Sequence, residues 1–367
     1  MIYADNATTT KLDIDAFEAM KPFLLEEYGN ASQSYSFANA GKRALKMARE
    51  VIANCIGAIP DEIYFTSGGT ESDNWAIKVA SGDGDIITSA IEHHAILNAC
   101  GELEKRGKDV LYVPVSGEGI VELECLEKAI TKKTKLISIM YANNEIGSIQ
   151  PVKQIAEITH KHNCLFHTDA VQAVGHVPIN VHDLDIDLLS ASAHKFNGPK
   201  GVGFLYIKRG TDIKSYFNGG SQEKGLRAGT ENIAGIVAMA VALEKNCKMM
   251  QQNAERLKGY EAMLLEQLRA AKLVFLQNGS EQKIPGNISL SFADGDGEMI
   301  LHRMDLKGIC IATGAACDSG NTQVSHVIKA IAVPEKFAEG TIRISLGHDN
   351  TKEDVKDIAQ ALISILK

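Results

Sequence analysis

Between about residues 60 and 210 the chain alternates short apolar, β-branched runs with stretches of helical periodicity. That alternation predicts a mostly parallel sheet in an α/β layer fold. The runs are Ile63-Tyr64-Phe65-Thr66, Asp85-Ile86-Ile87-Thr88, Leu136-Ile137-Ser138-Ile139-Met140, Cys164-Leu165-Phe166-His167 and Leu188-Leu189-Ser190, with a further run from Val202 to Ile207. Ahead of them, residues 15–27 and 39–56 read as helices joined by a polar segment at 28–38, and residues 1–13 as an extended arm. Beyond them, residues 231–271 contain no proline and read as one long or kinked helix. Such a helix can link a large domain, 14–250, to a smaller α+β domain made of 1–13 and 251–367. The smaller domain is expected to hold strands near 287–292 and 341–346, a helix at 297–305 and an amphipathic C-terminal helix at 352–366. The arm is expected to pack on it.

The residues capable of chemistry follow the apolar runs. Ser67-Gly68-Gly69-Thr70-Glu71-Ser72 follows the first, Glu92-His93-His94 the second and Asn143-Asn144-Glu145 the third. Asp169 and Gln172 follow the fourth, and His194-Lys195 the fifth. Open parallel sheets bind ligands beyond the carboxyl ends of their strands, so five such ends point to one shared site.

Each group has a bland alternative. Lys195 lies among small residues, Ser190-Ala191-Ser192-Ala193, before the turn Gly198-Pro199-Lys200-Gly201. Such a lysine can form a Schiff base with a cofactor, although taken alone the stretch favours a solvated lysine. Gly68-Gly69-Thr70 suits either an anion held by backbone N–H groups or an ordinary capped turn. It is not a Walker A loop. Asp169 reads equally as the partner of a pyridinium nitrogen or as a helix cap. One of His93 and His94 could lie over a flat ring as an acid/base group, or both could be buried structural histidines. His160, His162, His167 and Asp169 have metal-ligand residue types, but His160 and His162 are spaced off a common helix face. Arg343, in the alternating run Thr341 to Leu346, either faces solvent or clamps a carboxylate.

Composition narrows the classes. The net charge of -8 and the lack of a basic, aromatic-interleaved patch argue against a nucleic-acid partner. The start Met1-Ile2-Tyr3-Ala4-Asp5 is unlike a signal peptide, and runs such as Ile233 to Leu243 are too short to span a bilayer, so the protein reads as cytoplasmic without a membrane partner. Seven scattered cysteines with no CxxC pair exclude a disulfide framework. Cys317 differs from the rest. It sits among small residues between Gly314 and Gly320, a setting that suits a nucleophile on a loop spanning about 313–330.

Ser192-Ala193-His194-Lys195 with Gly198-Pro199-Lys200-Gly201 resembles the lysine motif of the class V aminotransferase-like, pyridoxal-phosphate-dependent enzymes of fold type I. Asn143-Asn144-Glu145-Ile146-Gly147, Asp169-Ala170-Val171-Gln172, Arg227-Ala228-Gly229-Thr230 and Ala316-Cys317 narrow the resemblance to the cysteine desulfurases. It implies a three-layer, mostly parallel seven-stranded sheet in the large domain. It also implies that pyridoxal 5'-phosphate is carried on Lys195, which later moves the proton. Asp169 would pair with the pyridine nitrogen, His93 would stack on the ring and Gln172 would bond the phenolic oxygen. Gly69, Thr70, Ser192 and His194 would hold the phosphate, with Thr230 entering from the second subunit of a homodimer. Asn144 and Arg343 would bind the carboxylate of L-cysteine, and Cys317 would take its sulfur as a persulfide, leaving L-alanine. The persulfide would pass to an acceptor protein for iron–sulfur cluster, thio-cofactor or tRNA biosynthesis. A selenocysteine lyase or a cysteine-sulfinate-active relative would share the cofactor residues. A silent fold member would instead serve as a sulfur-transfer binding partner.

The sequence departs from the family pattern at Ala31, where proline is usual, at Tyr35 for histidine and at Ser221 for a third glycine. It stops soon after helix 352–366, where scaffold-feeding members are longer. The long Cys317 loop favours direct delivery by a swinging loop.

Overall fold

The alternating stretch folds as a seven-stranded sheet in the computed structural model, which describes residues 1–314 and 324–367. A short strand, β1 (Ile2–Tyr3), precedes it. The sheet comprises β2 (Ile63–Thr66), β3 (Asp85–Ser89), β4 (Val110–Val113), β5 (Thr134–Ser138), β6 (Leu165–Asp169), β7 (Leu188–Ser192) and β8 (Gly203–Ile207). Their spatial order is β2-β8-β7-β6-β5-β3-β4. Only β8 runs against its neighbours β2 and β7; every other pairing is parallel. The carboxyl ends of β2 to β7 therefore lie along one edge. Every residue of β2, β7 and β8 is buried, as expected for strands covered by helices on both faces.

Helix Ile14–Leu25 begins where the Asp13 carboxylate accepts hydrogen bonds from the Asp15 and Ala16 N–H groups. It stops two residues short of the expected boundary, where the Glu26 and Glu27 N–H groups both close on the Pro22 carbonyl. The proline-free stretch is a single helix, Ile233–Ala270, of 38 residues, and the Asn232 side chain accepts from the Gly235 N–H at its start. Ile236, Met239 and Leu243 at its beginning enter the core beneath the large sheet. Leu257, Leu264 and Leu268 near its end enter a second core.

That second core lies against an antiparallel sheet of β9 (Phe275–Asn278), β10 (Asn287–Phe292) and β12 (Thr341–Ser345), in the order β12-β10-β9. Helices Gly297–Leu306 and Lys352–Leu366 complete it. Thr351 and Asp354 cap the latter reciprocally. β1 pairs in parallel with β11 (Ile309–Cys310), which fastens the arm to this unit. Ile284, Val327, Ile328 and Ile331 pack instead into the first core. Among the described residues no helix is long and apolar enough to cross a membrane.

Candidate active site

Beyond β7 the chain makes one tight turn, Ala193–Lys195, pinned by the Gly198 N–H on the Ala193 carbonyl (2.8 Å) and by the fully buried Phe196 ring. The turn brings Lys195 to the N-terminal arm. Lys195 Nζ donates to the carbonyls of Ala7 (2.6 Å) and Thr8 (2.8 Å). The arm is held there by its own ladder. The Thr10 N–H and hydroxyl both donate to the His194 carbonyl at 2.9 Å, and the Asn197 N–H donates to the Thr10 hydroxyl. Gln172 Nε2 donates to the Ala7 carbonyl (2.9 Å). His194 Nδ1 meets the Thr9 hydroxyl at 3.1 Å, and burial, with Lys195 and Lys200 nearby, pushes its pKa down to about 4. A ligand at this edge therefore meets a neutral His194 beside the Lys195 amine.

Asp169 is the last residue of β6 rather than the first beyond it. It is buried, and Oδ1 accepts from the Val171 N–H at 2.9 Å. Burial raises its pKa, while His93, that N–H and Lys195 oppose the rise. His93 caps helix His94–Lys105, with Nδ1 accepting from the Ala95 N–H at 3.1 Å. That bond places the proton of the neutral ring on Nε2. Burial lowers the His93 pKa against the pull of Asp169.

Gly68 adopts φ +148° and ψ -177°, a backbone region reserved for glycine. A Cβ on Gly69 would stand 2.6 Å from Val171 Cγ2 and 3.6 Å from Ser192 Cβ, so only glycine lets this turn pack against Val171. Thr70 and Ser192 line the same space. Glu71 ties this turn to a distant segment. One oxygen accepts from the Ser67 N–H, and the carboxylate forms a two-point pair with Arg227 (2.8 and 3.1 Å). Thr230, three residues on, is exposed and stands outside the cavity of this protomer.

Arg343, on β12, turns inward from the small sheet and is 6% exposed. Nη2 donates to Asp5 Oδ1 and to the Thr8 hydroxyl, both at 2.7 Å, and Nη1 to the Asn144 carbonyl at 3.0 Å. Its Nε is buried without a partner among the described residues. The Asn143 side chain shapes the Asn144 turn by accepting from the Glu145 and Ile146 N–H groups. Glu145 in turn accepts from the Ser325 hydroxyl at 2.6 Å. Gly314 and Ser325 line the cavity, while Cys317 lies outside the described residues.

The cavity so enclosed measures about 260 Å³. It gathers Gly69, Thr70, His93, Asn144, Asp169, Gln172, Ser192, His194, Lys195 and Arg343. Sequence reasoning gave no role to five contributors. The Ala7 and Thr8 carbonyls are backbone groups without a sequence signature. Asp5 is the partner of Arg343. Asp73 and Glu92 are buried carboxyls in the wall, and only their place beyond β2 and β3 hinted at them. The histidines weighed as metal ligands diverge. His160 bridges Asp185 and Asp187, His162 faces Glu127, and His167 sits between the Ser138 and Ser190 hydroxyls.

A lysine amine, a buried carboxylate and a neutral histidine gather at the strand ends of a mostly parallel α/β sheet, the place where such folds bind ligands. Residues 2–358 match the family model for aminotransferase class-V. The cysteine desulfurase IscS of Dictyoglomus turgidum is 47% identical over all of this chain and 95% of its own length. That of Methanosarcina thermophila is 45% identical over all of this chain and 92% of its own. Among solved structures, a NifS-like protein aligns with a TM-score of 0.94 at 38% identity, covering 100% of this chain and 99% of its own. SspA in complex with cysteine aligns at 0.84 and 34% identity over 94% of this chain and 99% of its own. The chain belongs to the class V aminotransferase family and, within it, to the cysteine desulfurases, enzymes that depend on pyridoxal phosphate.

Proposed function

We propose that the chain removes sulfur from L-cysteine, releasing L-alanine and loading Cys317 as a persulfide. The carrying observation is the convergence of Lys195, Asp169, His93 and Arg343 on one cavity from separate elements. The cavity fits pyridoxal 5'-phosphate in two respects. Asp169 offers a buried carboxylate, and Arg343 Nε is a buried donor without a partner among the described residues. When bound, the cofactor supplies an aldehyde that condenses with amines and a ring that accepts electrons from the substrate Cα.

The chain's own residues do the rest. Lys195 Nζ would anchor the cofactor and move the substrate α-proton. Asp169 would hold a positive charge at the ring nitrogen, and Gln172 would bond the phenolic oxygen. His93, neutral with its proton on Nε2, would lie against the ring as an acid/base group. Thr70, Ser192, His194 and the Gly68–Gly69 backbone would hold the phosphate, with Thr230 of a second subunit. Asn144 and the Arg343 guanidinium receive the substrate carboxylate, with Asp5 and Thr8 fixing the orientation of the fork. The Cys317 thiolate attacks the substrate sulfur. The S–S bond forms as the Cβ–S bond breaks, and Cβ takes a proton to become the alanine methyl. Cysteine bound to SspA, at 34% identity, supports the substrate. We take a protein thiol as the sulfur acceptor, the working form as a homodimer and the compartment as the cytoplasm.

Alanine and sulfide formation from cysteine under a reducing thiol tests the reading. Wild type should yield both in equal amounts, and Cys317→Ala should yield neither while keeping a wild-type cofactor absorbance. Sulfide from Cys317→Ala at the wild-type rate would remove Cys317 from the mechanism. Turnover confined to selenocysteine would replace the substrate.

A further inference from the structure

Three carboxyl groups surround the cavity floor, and two of them have no role in the reaction described above. Asp169 ends β6. Asp73 comes from helix Gly69–Trp75, and Glu92 precedes the cap of helix His94–Lys105. Asp73 is 1% exposed and Glu92 fully buried. Each has a bare oxygen. Glu92 Oε1 accepts from the Ser89 hydroxyl (2.6 Å) and the Met140 N–H (2.9 Å), whereas Oε2 has no partner among the described residues. Asp73 Oδ1 likewise has no partner among the described residues. A buried ionised carboxyl needs donors or a cation to offset its charge, so an acid whose oxygen has neither is held at least cost in the neutral form.

The neighbours support the same proton count. The group nearest Asp73 Oδ1 that could carry charge is His167 Nε2, at 3.8 Å, beyond hydrogen-bond reach. His167 is wholly buried between Ser138 Oγ (2.8 Å) and Ser190 Oγ (3.0 Å) and stays neutral, burial taking its pKa to about 3. Neither acid therefore faces a cation. Asp169 does, since Lys195 favours its charged form and the Val171 N–H donates to it.

We propose that Asp73 and Glu92 are positioning residues held as neutral carboxylic acids, with their bare oxygens protonated, so that Asp169 is the single anion of the cavity floor. Three carboxylates packed this closely would repel one another. Burial supports the assignment by raising Asp73 well above its ordinary range and Glu92 to about 8. The titratable groups facing the pair are Asp169, His167 and each other, with Cys100 behind Glu92 and His326 on the Glu92 backbone carbonyl (3.0 Å). The proposal rests on the cofactor reading only for the partner of Asp169; the protons belong to the chain itself.

The test uses the full-length protein with and without pyridoxal phosphate, so its outcome does not depend on the cofactor assignment. The variants are Glu92→Gln and Asp73→Asn, neutral isosteres of the protonated acids. Infrared spectra near neutral pH should show carboxylic-acid C=O bands, one missing in each variant, in the cofactor-free protein as well. Native Glu92 keeps its proton to about pH 8, whereas the unfolded chain releases it near 4.5, so wild-type stability should fall as pH rises across that interval. Glu92→Gln escapes that loss, and its Tm should gain on wild type by several degrees over the same interval. Asp73→Asn should gain in the same direction. Variants that keep every acid band, or that lose Tm relative to wild type as pH rises, would show that both groups are ionised and overturn the proposal.

Discussion

At the scale of single residues, the site works by fixing charge. Burial and the Ala95 N–H keep His93 neutral at physiological pH. Protonation of His93 should therefore limit kcat/KM only below pH 6.5, its ordinary value, and a limb above that value abolished by His93→Asn would contradict the assignment. The same depression makes stability intact above 6.5 and progressively lost as pH falls below it, since the unfolded chain takes the proton first. Arg343 gives a second prediction. A lysine cannot reproduce three donations from two nitrogens while leaving Nε for a ligand. Arg343→Lys should raise KM for cysteine by roughly 10- to 100-fold with a smaller change in kcat, the size expected for losing a charge-assisted contact. An unchanged KM would mean that the substrate carboxylate binds elsewhere. That Lys195 and Asp169 share one cavity was legible at this scale, because a distinctive side chain follows each apolar run. The Ala7 and Thr8 carbonyls were not, because every residue owns a carbonyl and only the fold brings these two to Lys195. Asp73 was hidden and Glu92 was named without a role, because burial, not residue type, makes them unusual.

At the scale of elements, periodicity and turn signals sufficed for the uninterrupted helix Ile233–Ala270 and for every strand of the large sheet except the half-exposed edge strand β4, Val110–Val113. They were silent on pairing. Nothing in Gly203-Phe204-Leu205-Tyr206-Ile207 announces that β8 runs against β7 and β2. The tight turn after Lys195 sets that direction, and β8 thereby places the Gly68–Gly69 turn beside Ser192. A buried pair secures this end of the sheet. Arg49 forms a two-point bridge to Glu223 (2.8 and 2.6 Å) and also donates to the Ile63 carbonyl, while Glu223 accepts from the Phe65 N–H. Arg49→Met would leave the buried Glu223 carboxylate without its cation, and urea denaturation should report a loss of about 3–5 kcal/mol. A loss under about 1 kcal/mol would mean that water replaces the guanidinium.

At the scale of the molecule, two cores share one long helix, and the arm 1–13 runs from the small sheet back to Lys195. We place the domain boundary near residue 250, within that helix. Leu264 is fully buried in the second core, so Leu264→Ala should cost about 2–5 kcal/mol. Because the arm is bonded both to the small unit and to Lys195, the same variant should also weaken cofactor binding; if Tm falls with cofactor affinity unchanged, the units are mechanically independent. The sequence reached this scale only through composition and order. The return of the arm depends on contacts hundreds of residues apart, such as Asp5 with Arg343.

The central claim is sulfur transfer from cysteine to Cys317, and single-turnover mass spectrometry tests it most directly. The protein would be mixed with limiting L-cysteine in the absence of any other thiol, quenched and digested. The peptide containing Cys317 should gain one sulfur atom as one equivalent of alanine appears, and Lys195→Ala should produce neither. Alanine without added sulfur on that peptide, or added sulfur on another cysteine, would contradict the account.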